Sequence, residues 1–296
     1  MVVLEFLIDV ADAGGGEALR QDARAVLDVV LVAPAAVDED AAQRPQIAPV
    51  PRDKVDRVVA QPLAPTLADR EHRGCFGKSS GGYGAILHGM KYAGTWGAVA
   101  SHSGDAYFDF VYWHDWPNTL DELAKHRLPR RKAGAYDALR ESRRKGLAEG
   151  KDDGRIKRFF THVWKKEKLT AKEGHCIMNL CMAATYDPDP KAPNGFRVPF
   201  NLESGEPIAE RWRKWLAHDP INLVAKHRDN LKSLRGIYID CGWRDQYHIH
   251  YGARILAKRL AAAGIRHRYE EFDDDHSDID YRMDASLPFL YRALKP

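Results

Sequence analysis

Four cysteines in 296 residues is few, and Cys75, Cys176, Cys181 and Cys241 include no CxxC pair. Neither a disulfide framework nor a cysteine zinc site is expected, and the four read as buried free thiols in a reducing compartment. Long apolar runs are missing too: Val2 to Ile8 is broken by Glu5, and Val26 to Pro34 by Asp28. Neither run spans the roughly 30 Å of a bilayer's hydrocarbon core, so no transmembrane helix is predicted. Charge of one sign is nowhere gathered into a block. Forty-five Lys+Arg against 42 Asp+Glu leave +3, without the basic stripe that nucleic acid calls for. The first residues, Met1-Val2-Val3-Leu4-Glu5, lack the basic start and small-residue cleavage site of a secretory leader, and the expected location is cytoplasmic.

What is present is a composition of 44% hydrophobic and 29% charged residues, enough to bury a sizeable core. The length suits one domain carrying a large insertion. Residues 1–65 differ in texture from the rest. Up to residue 70 the chain has one aromatic, Phe6, and one lysine, Lys54, and is rich in Ala, Val, Asp, Arg and Pro. Val2 to Val10 and Val29 to Val32 read as strands and Glu17 to Val26 as a helix after Gly14-Gly15-Gly16. Residues 34–54, with four prolines, read as loop.

From Arg70 the pattern sharpens. Arg73 to Phe76 predicts a strand, Gly77 to Gly82 a tight turn, Tyr83 to Tyr92 a helix and Trp96 to Ser101 another strand. Strand, helix, strand and helix return at Gly236 to Cys241, Ile249 to Ala263, Arg268 to Phe272 and Tyr281 to Leu294. Such alternation implies a mostly parallel, doubly wound α/β sheet covered on both faces. Between these halves Gly104 to Leu234 is too long for an ordinary connection. Its polar helical stretches, Leu120 to Lys125, Tyr136 to Leu147 and Arg155 to Lys168, predict a cap, and the Pro-rich Tyr186 to Asn201 an extended loop.

Gly77-Lys78-Ser79-Ser80-Gly81 matches G-x-S-x-G between a predicted strand and a predicted helix. In that context it is a nucleophile elbow: a sharp turn strains the serine backbone, and the glycines remove Cβ atoms where chain segments approach. A phosphate-binding loop fits less well, because its opening glycine would have to stand at His72. Ser79 is then the candidate nucleophile, and the backbone N–H of Ser80, at a helix start, the first oxyanion donor. A serine hydroxyl needs a base, and the base a carboxylate to fix its tautomer, in the chain order Ser, acid, His. Asp245, in the loop after the strand GIYIDC, supplies the acid, with Asp240 inside that strand as competitor. His276, in the loop after the next strand, supplies the base in preference to His102, His248 and His250. Gly15 is the candidate for a second oxyanion donor. Ser103, Asp105, Tyr107, Trp113 and Trp116 follow the strand WGAVAS at the same edge and are candidates to line a substrate pocket, with cap core as the competing role. No metal site is expected.

These residues resemble the α/β-hydrolase superfamily, and within it the putative-esterase group that includes esterase D, S-formylglutathione hydrolases, feruloyl esterases and enterochelin-esterase-like enzymes. The resemblance runs from Arg70 to Leu294, through REHRGCFGKSSGGYGAILHGMKY, WGAVASHSGD, YIDCGWRDQY and FDDDHSDIDYR. Residues 11–65 depart from it, lacking the aromatic, Gly- and Asn-bearing loop that the group places before the elbow. It implies a serine hydrolase that cleaves a carboxylic ester, or a thioester, of a small molecule without metal or organic cofactor. Ser79 would be nucleophile, Asp245 acid and His276 base. An acyltransferase using the same triad and a non-catalytic binding protein of the same fold stay open, and a homo-oligomer is compatible with the sequence.

Overall fold

The computed structural model describes residues 30–32, 69–127 and 152–294. The strand expected at Val2 to Val10, the helices at Glu17 to Val26 and Tyr136 to Leu147, the loop at 34–54, and Gly15 lie outside the described residues.

Among the described residues five strands form one sheet in the order β1 (Val30–Val32), β2 (Gly74–Lys78), β3 (Ala98–His102), β4 (Gly236–Gly242) and β5 (Arg268–Phe272). β2 through β5 are parallel, and β1 runs antiparallel on the edge beside β2. Helix α1 (Ser80–Lys91) connects β2 to β3. Between β3 and β4 lie α2 (Phe108–Val111), α3 (Trp116–Ala124), α4 (Arg155–Val163), α5 (Ala171–Tyr186), α6 (Ala209–Leu216), α7 (Pro220–Leu223) and α8 (Arg228–Ser233). α9 (Ile249–Ala262) joins β4 to β5, and α10 (Met283–Ala293) closes the described chain.

Every residue of β3 and β4 is buried, as expected of central strands covered on both faces. Side chains alternate. Val99, Ile237, Ile239 and Cys241 join the large core shared with α1, α9 and the helices between β3 and β4. Phe76, Ala98, Ala100 and Tyr238 pack instead on Leu290 and Leu294 of the α10 segment. The register pairs Ala98 with Gly236, Ala100 with Tyr238 and His102 with Asp240. His102 and Asp240 therefore share the α10 face, one at the end of its strand.

The helices between β3 and β4 pack around aromatics. Trp116 and Trp215 are wholly buried, with ring centroids 5.7 Å apart. Phe200 packs against Trp113 and Trp116 at 5.0 and 5.1 Å. α5 opens on a reciprocal cap: Thr170 Oγ1 accepts from the Glu173 N–H, and the Glu173 carboxylate accepts from the Thr170 N–H at 2.8 Å. Tyr186 to Asn201 contains no helix beyond Tyr186 itself and carries a β-bridge between Pro188 and Phe196, in line with the extended loop expected there. All four cysteines are free and buried. Among the described residues no helix is long and apolar enough to cross a membrane.

Candidate active site

β2 ends at Lys78 and α1 starts at Ser80, leaving Ser79 alone to turn the chain. It does so at φ 56° and ψ −126°, a region that costs a non-glycine residue about 1–3 kcal/mol and persists only where its surroundings fix it. Those surroundings are explicit. A Cβ on Gly77 would stand 2.5 Å from the carbonyl of Gly81, so the strand end and the first helical turn meet backbone to backbone. The Ser79 N–H donates to His102 O at 2.9 Å, and Ser79 O accepts from the Tyr83 N–H at 2.9 Å. The hydroxyl thus sits at the start of a twelve-residue helix, where free N–H groups and the helix dipole favour negative charge. The Ser80 N–H is among these free groups.

Asp245 and His276 come together from the exits of β4 and β5. A Cβ on Gly242 would meet Asp274 O at 2.4 Å, so these exits also touch through backbone. Trp243 N–H donates to Phe272 O at 3.0 Å and Arg244 N–H to Asp274 O at 3.1 Å. The Asp245 carboxylate, 2% exposed, then divides its work. Oδ1 accepts from the N–H groups of Tyr247 at 2.9 Å and Ile249 at 3.4 Å, while Oδ2 lies 2.7 Å from His276 Nδ1. With Nδ1–H donated to the carboxylate, Nε2 keeps its lone pair. Among the described residues no hydrogen bond joins Nε2 to Ser79 Oγ: the Asp245 and His276 side chains are paired, and Ser79 stands at the elbow with no hydrogen bond to either. The neighbouring acids turn elsewhere, Asp273 to Arg244 at 3.1 Å and the Asp274 carboxylate to the Tyr281 hydroxyl at 3.0 Å.

Two side chains beside this constellation stood out less in the sequence. Asp105 is 4% exposed and accepts at Oδ2 from the hydroxyls of Tyr112 at 2.7 Å and Ser80 at 3.1 Å. Burial raises its carboxyl above the usual range, against the pull of those hydroxyls and of His276. Tyr247, two residues past Asp245, sets its ring edge-on to His276 at 4.8 Å, and His175 of α5 packs on it from 5.7 Å. Burial and then the Asp245 charge raise the Tyr247 phenol.

The pocket expected at Ser103, Tyr107, Trp113 and Trp116 needs correction at two positions. Ser103 and Trp116 are 0% exposed and meet no solvent. Ser103 is enclosed at the end of β3, its N–H held by Asp240 O, and Trp116 is core between Phe200 and Trp215. Tyr107 and Trp113 are half-buried at the edge, where Tyr107 packs with a tilted ring against the exposed Phe110 at 4.5 Å. Asp240 does meet a histidine, but it is His102, through Nδ1 at 2.7 Å, on the face opposite α1.

The family model described as Putative esterase matches residues 52–286. No curated protein matches the chain. Among solved structures, a ferulic acid esterase is 15% identical over 76% of this chain and 53% of its own, with a TM-score of 0.37. The apo S-formylglutathione hydrolase of Staphylococcus aureus is 13% identical over 82% of this chain and 57% of its own, at 0.36. A fluorophosphonate-binding serine hydrolase from the same organism is 14% identical over 82% and 60%, at 0.37. The chain spans less than two thirds of the length of each of these three.

Proposed function

Because the chain belongs to the putative esterase family and has the α/β-hydrolase fold, we propose that it hydrolyses a carboxylic ester of a small molecule through Ser79, His276 and Asp245. One observation carries the assignment. Asp245 fixes the proton of His276 on Nδ1 at 2.7 Å, leaving Nε2 as a base at the sheet edge where the strained elbow presents Ser79. Ser79 Oγ attacks the acyl carbon as its proton passes to Nε2, and Asp245 balances the imidazolium. The Ser80 N–H at the start of α1 donates to the oxyanion. The imidazolium returns its proton to the leaving alcohol, and a water activated by Nε2 releases the acid and regenerates Ser79. Closure of Nε2 onto Ser79 Oγ belongs to substrate binding in this scheme, since catalytic hydrogen bonds commonly tighten only in the bound complex.

A fluorophosphonate probe followed by peptide mass spectrometry tests the reading. Adduct on Ser79, absent in Ser79→Ala and in His276→Ala, is the expected result. A folded parent that takes no label, or takes it on another serine, refutes the assignment.

A further inference from the structure

Among the described residues the most complete Ser-His-Asp arrangement is not the one just described. On the α10 face, Ser286 Oγ lies 2.8 Å from His102 Nε2, and His102 Nδ1 lies 2.7 Å from Asp240 Oδ1. Ser286 and Asp240 are 0% exposed and His102 is 3% exposed, so no substrate reaches this serine. The group is not a second active site, and its connections give it another role.

Asp240 is the node. Its Oδ1 holds His102, and its Oδ2 accepts from Arg282 Nε at 2.9 Å and from the Tyr238 hydroxyl at 3.0 Å. Arg282 Nη2 reaches Glu270 Oε2 at 2.6 Å, and its guanidinium lies 4.5 Å from the centroid of the Phe272 ring. Each arm ends on a different part of the candidate catalytic machinery. His102 is the last residue of β3, and its carbonyl takes the Ser79 N–H at 2.9 Å, a bond that helps hold the nucleophile at positive φ. Arg282 ends the 3-10 turn Ile279–Arg282, where the loop carrying His276 rejoins the fold after leaving β5 at Phe272. One buried carboxylate therefore ties the strand end under Ser79 to the anchor of the His276 loop.

Resting on the assignment of Ser79 and His276 above, we propose that Asp240 is a positioning residue for ester hydrolysis, setting the distance between nucleophile and base through His102 on one side and Arg282 on the other. A buried ion pair is weak evidence of stability, and its better-attested use is fixing a register. Here the register is that of two strand exits whose side chains have to meet. Preorganisation of this kind acts on the rate, because misplacing reacting groups by about 1 Å can cost up to a hundredfold.

His102 allows the link to be cut and kept in matched variants. In His102→Asn the side-chain amide N–H falls where Nδ1–H was and still donates to Asp240 Oδ1. In His102→Gln the longer amide reaches the Ser286 position and the bond to Asp240 is lost. Each is compared with the parent in fluorophosphonate labelling rate at Ser79 and in kcat and KM for a chromogenic ester, well below its unfolding midpoint. The expected result is that His102→Gln loses about tenfold to a hundredfold in labelling rate and kcat with KM little changed, while His102→Asn stays within about threefold of the parent. A folded His102→Gln at the parental rate, or equal loss in both variants, overturns the proposal. If His102→Gln does not fold, Arg282→Gln, whose side chain is 16% exposed, cuts the other arm. A fall in kcat at constant KM supports the proposal, and a parental kcat refutes it. A parent unlabelled at Ser79 overturns the assignment of the site itself, and this proposal with it.

Discussion

Replacing Asp245 by Asn is the most informative single change, because the structure decides which way the amide must face. Asp245 Oδ1 is held as an acceptor by two backbone donors, the Tyr247 N–H at 2.9 Å and the Ile249 N–H at 3.4 Å. In Asp245→Asn the amide oxygen has to take that place, since an NH2 there would face N–H groups. The NH2 then points at His276 Nδ1, now 2.7 Å from a donor where it had an acceptor. Nδ1 becomes the acceptor and the ring proton moves to Nε2, where in the proposed scheme it blocks uptake of the Ser79 proton, and the negative charge that would balance the imidazolium is gone. The wrong tautomer in an equivalent triad costs about 10⁴ in kcat, or about 5.5 kcal/mol of barrier at 1.36 kcal/mol per decade. Stability should change far less, by about 1 kcal/mol, because the amide oxygen retains both backbone bonds at the start of α9. The measurements are kcat with a chromogenic ester and the urea midpoint. A kcat within tenfold of the parent would show that Asp245 does not set the tautomer of His276.

Three further outcomes follow from the packing and from one buried acid. In Gly252→Ala the new Cβ would stand 2.1 Å from Ala106 O, backbone against backbone, pushing α9 off the 104–107 loop. A loss of about 1–3 kcal/mol in chemical denaturation is expected, and an unshifted midpoint would deny that close approach. Trp116→Ala should destabilise by about 3–5 kcal/mol and leave the KM of the folded enzyme unchanged, as fits a residue 0% exposed; a displaced KM would return Trp116 to the pocket. Asp219 accepts the N–H groups of Tyr107, Phe108 and Ile221, yet burial raises its carboxyl from 3.8 to about 6. Between those values the native state binds the extra proton, so Asp219 makes stability fall as pH rises from about 4 to about 6. The fall is about 3 kcal/mol for a shift of about two units. Unfolding free energies of the parent and of Asp219→Asn across pH 4 to 7 should diverge by that amount, and a constant difference would refute it.

The central strands and the elbow were legible because buried strands read as largely apolar runs and the elbow motif carries its own steric logic. Arg268 to Phe272 was read to the residue. The start of α1 was misplaced from Ser80 to Tyr83, because Gly81 and Gly82 signal a turn. They are helical here for steric reasons: Gly81 closes on Gly77, and a Cβ on Gly82 would lie 2.9 Å from Gly104 Cα. α5 was missed although Thr170 and Glu173 spell its cap. Cys176, Asn179, Leu180, Cys181, Met182, Ala183 and Tyr186 are all buried, so no clean apolar stripe marks it. Position after β3 placed Trp116 and Ser103 near the site but could not say whether they faced an opening or the core. Chain order led to His276 and Asp245, which pair, and set His102 aside. The pairing of His102 with Asp240 depends on strand register and the placement of α10, neither of which has a local signature.

Strain and buried charge divide the sheet between them. Among the described residues five non-glycine residues have positive φ, Ser79, Ser103, Tyr107, His248 and Asp278, and each follows the C-terminal end of β2, β3, β4 or β5. Among the described residues none lies at the other end. Each costs about 1–3 kcal/mol and survives only where neighbours over-determine the backbone. The neighbours that do so here are one contact within the β2 exit, Gly77 on Gly81, and three between successive exits, Gly82 on Gly104, Gly252 on Ala106 and Gly242 on Asp274. Such contacts cannot relax singly, because each exit leans on the next from β2 to β5. The strain therefore keeps the Ser79, Asp245 and His276 loops in mutual register as one unit, and the Asp240 hydrogen bonds to His102 and Arg282 secure that unit from the opposite face. Loosening any one contact should then misplace the proposed catalytic side chains before it unfolds the sheet, so activity should be lost at lower denaturant than the core.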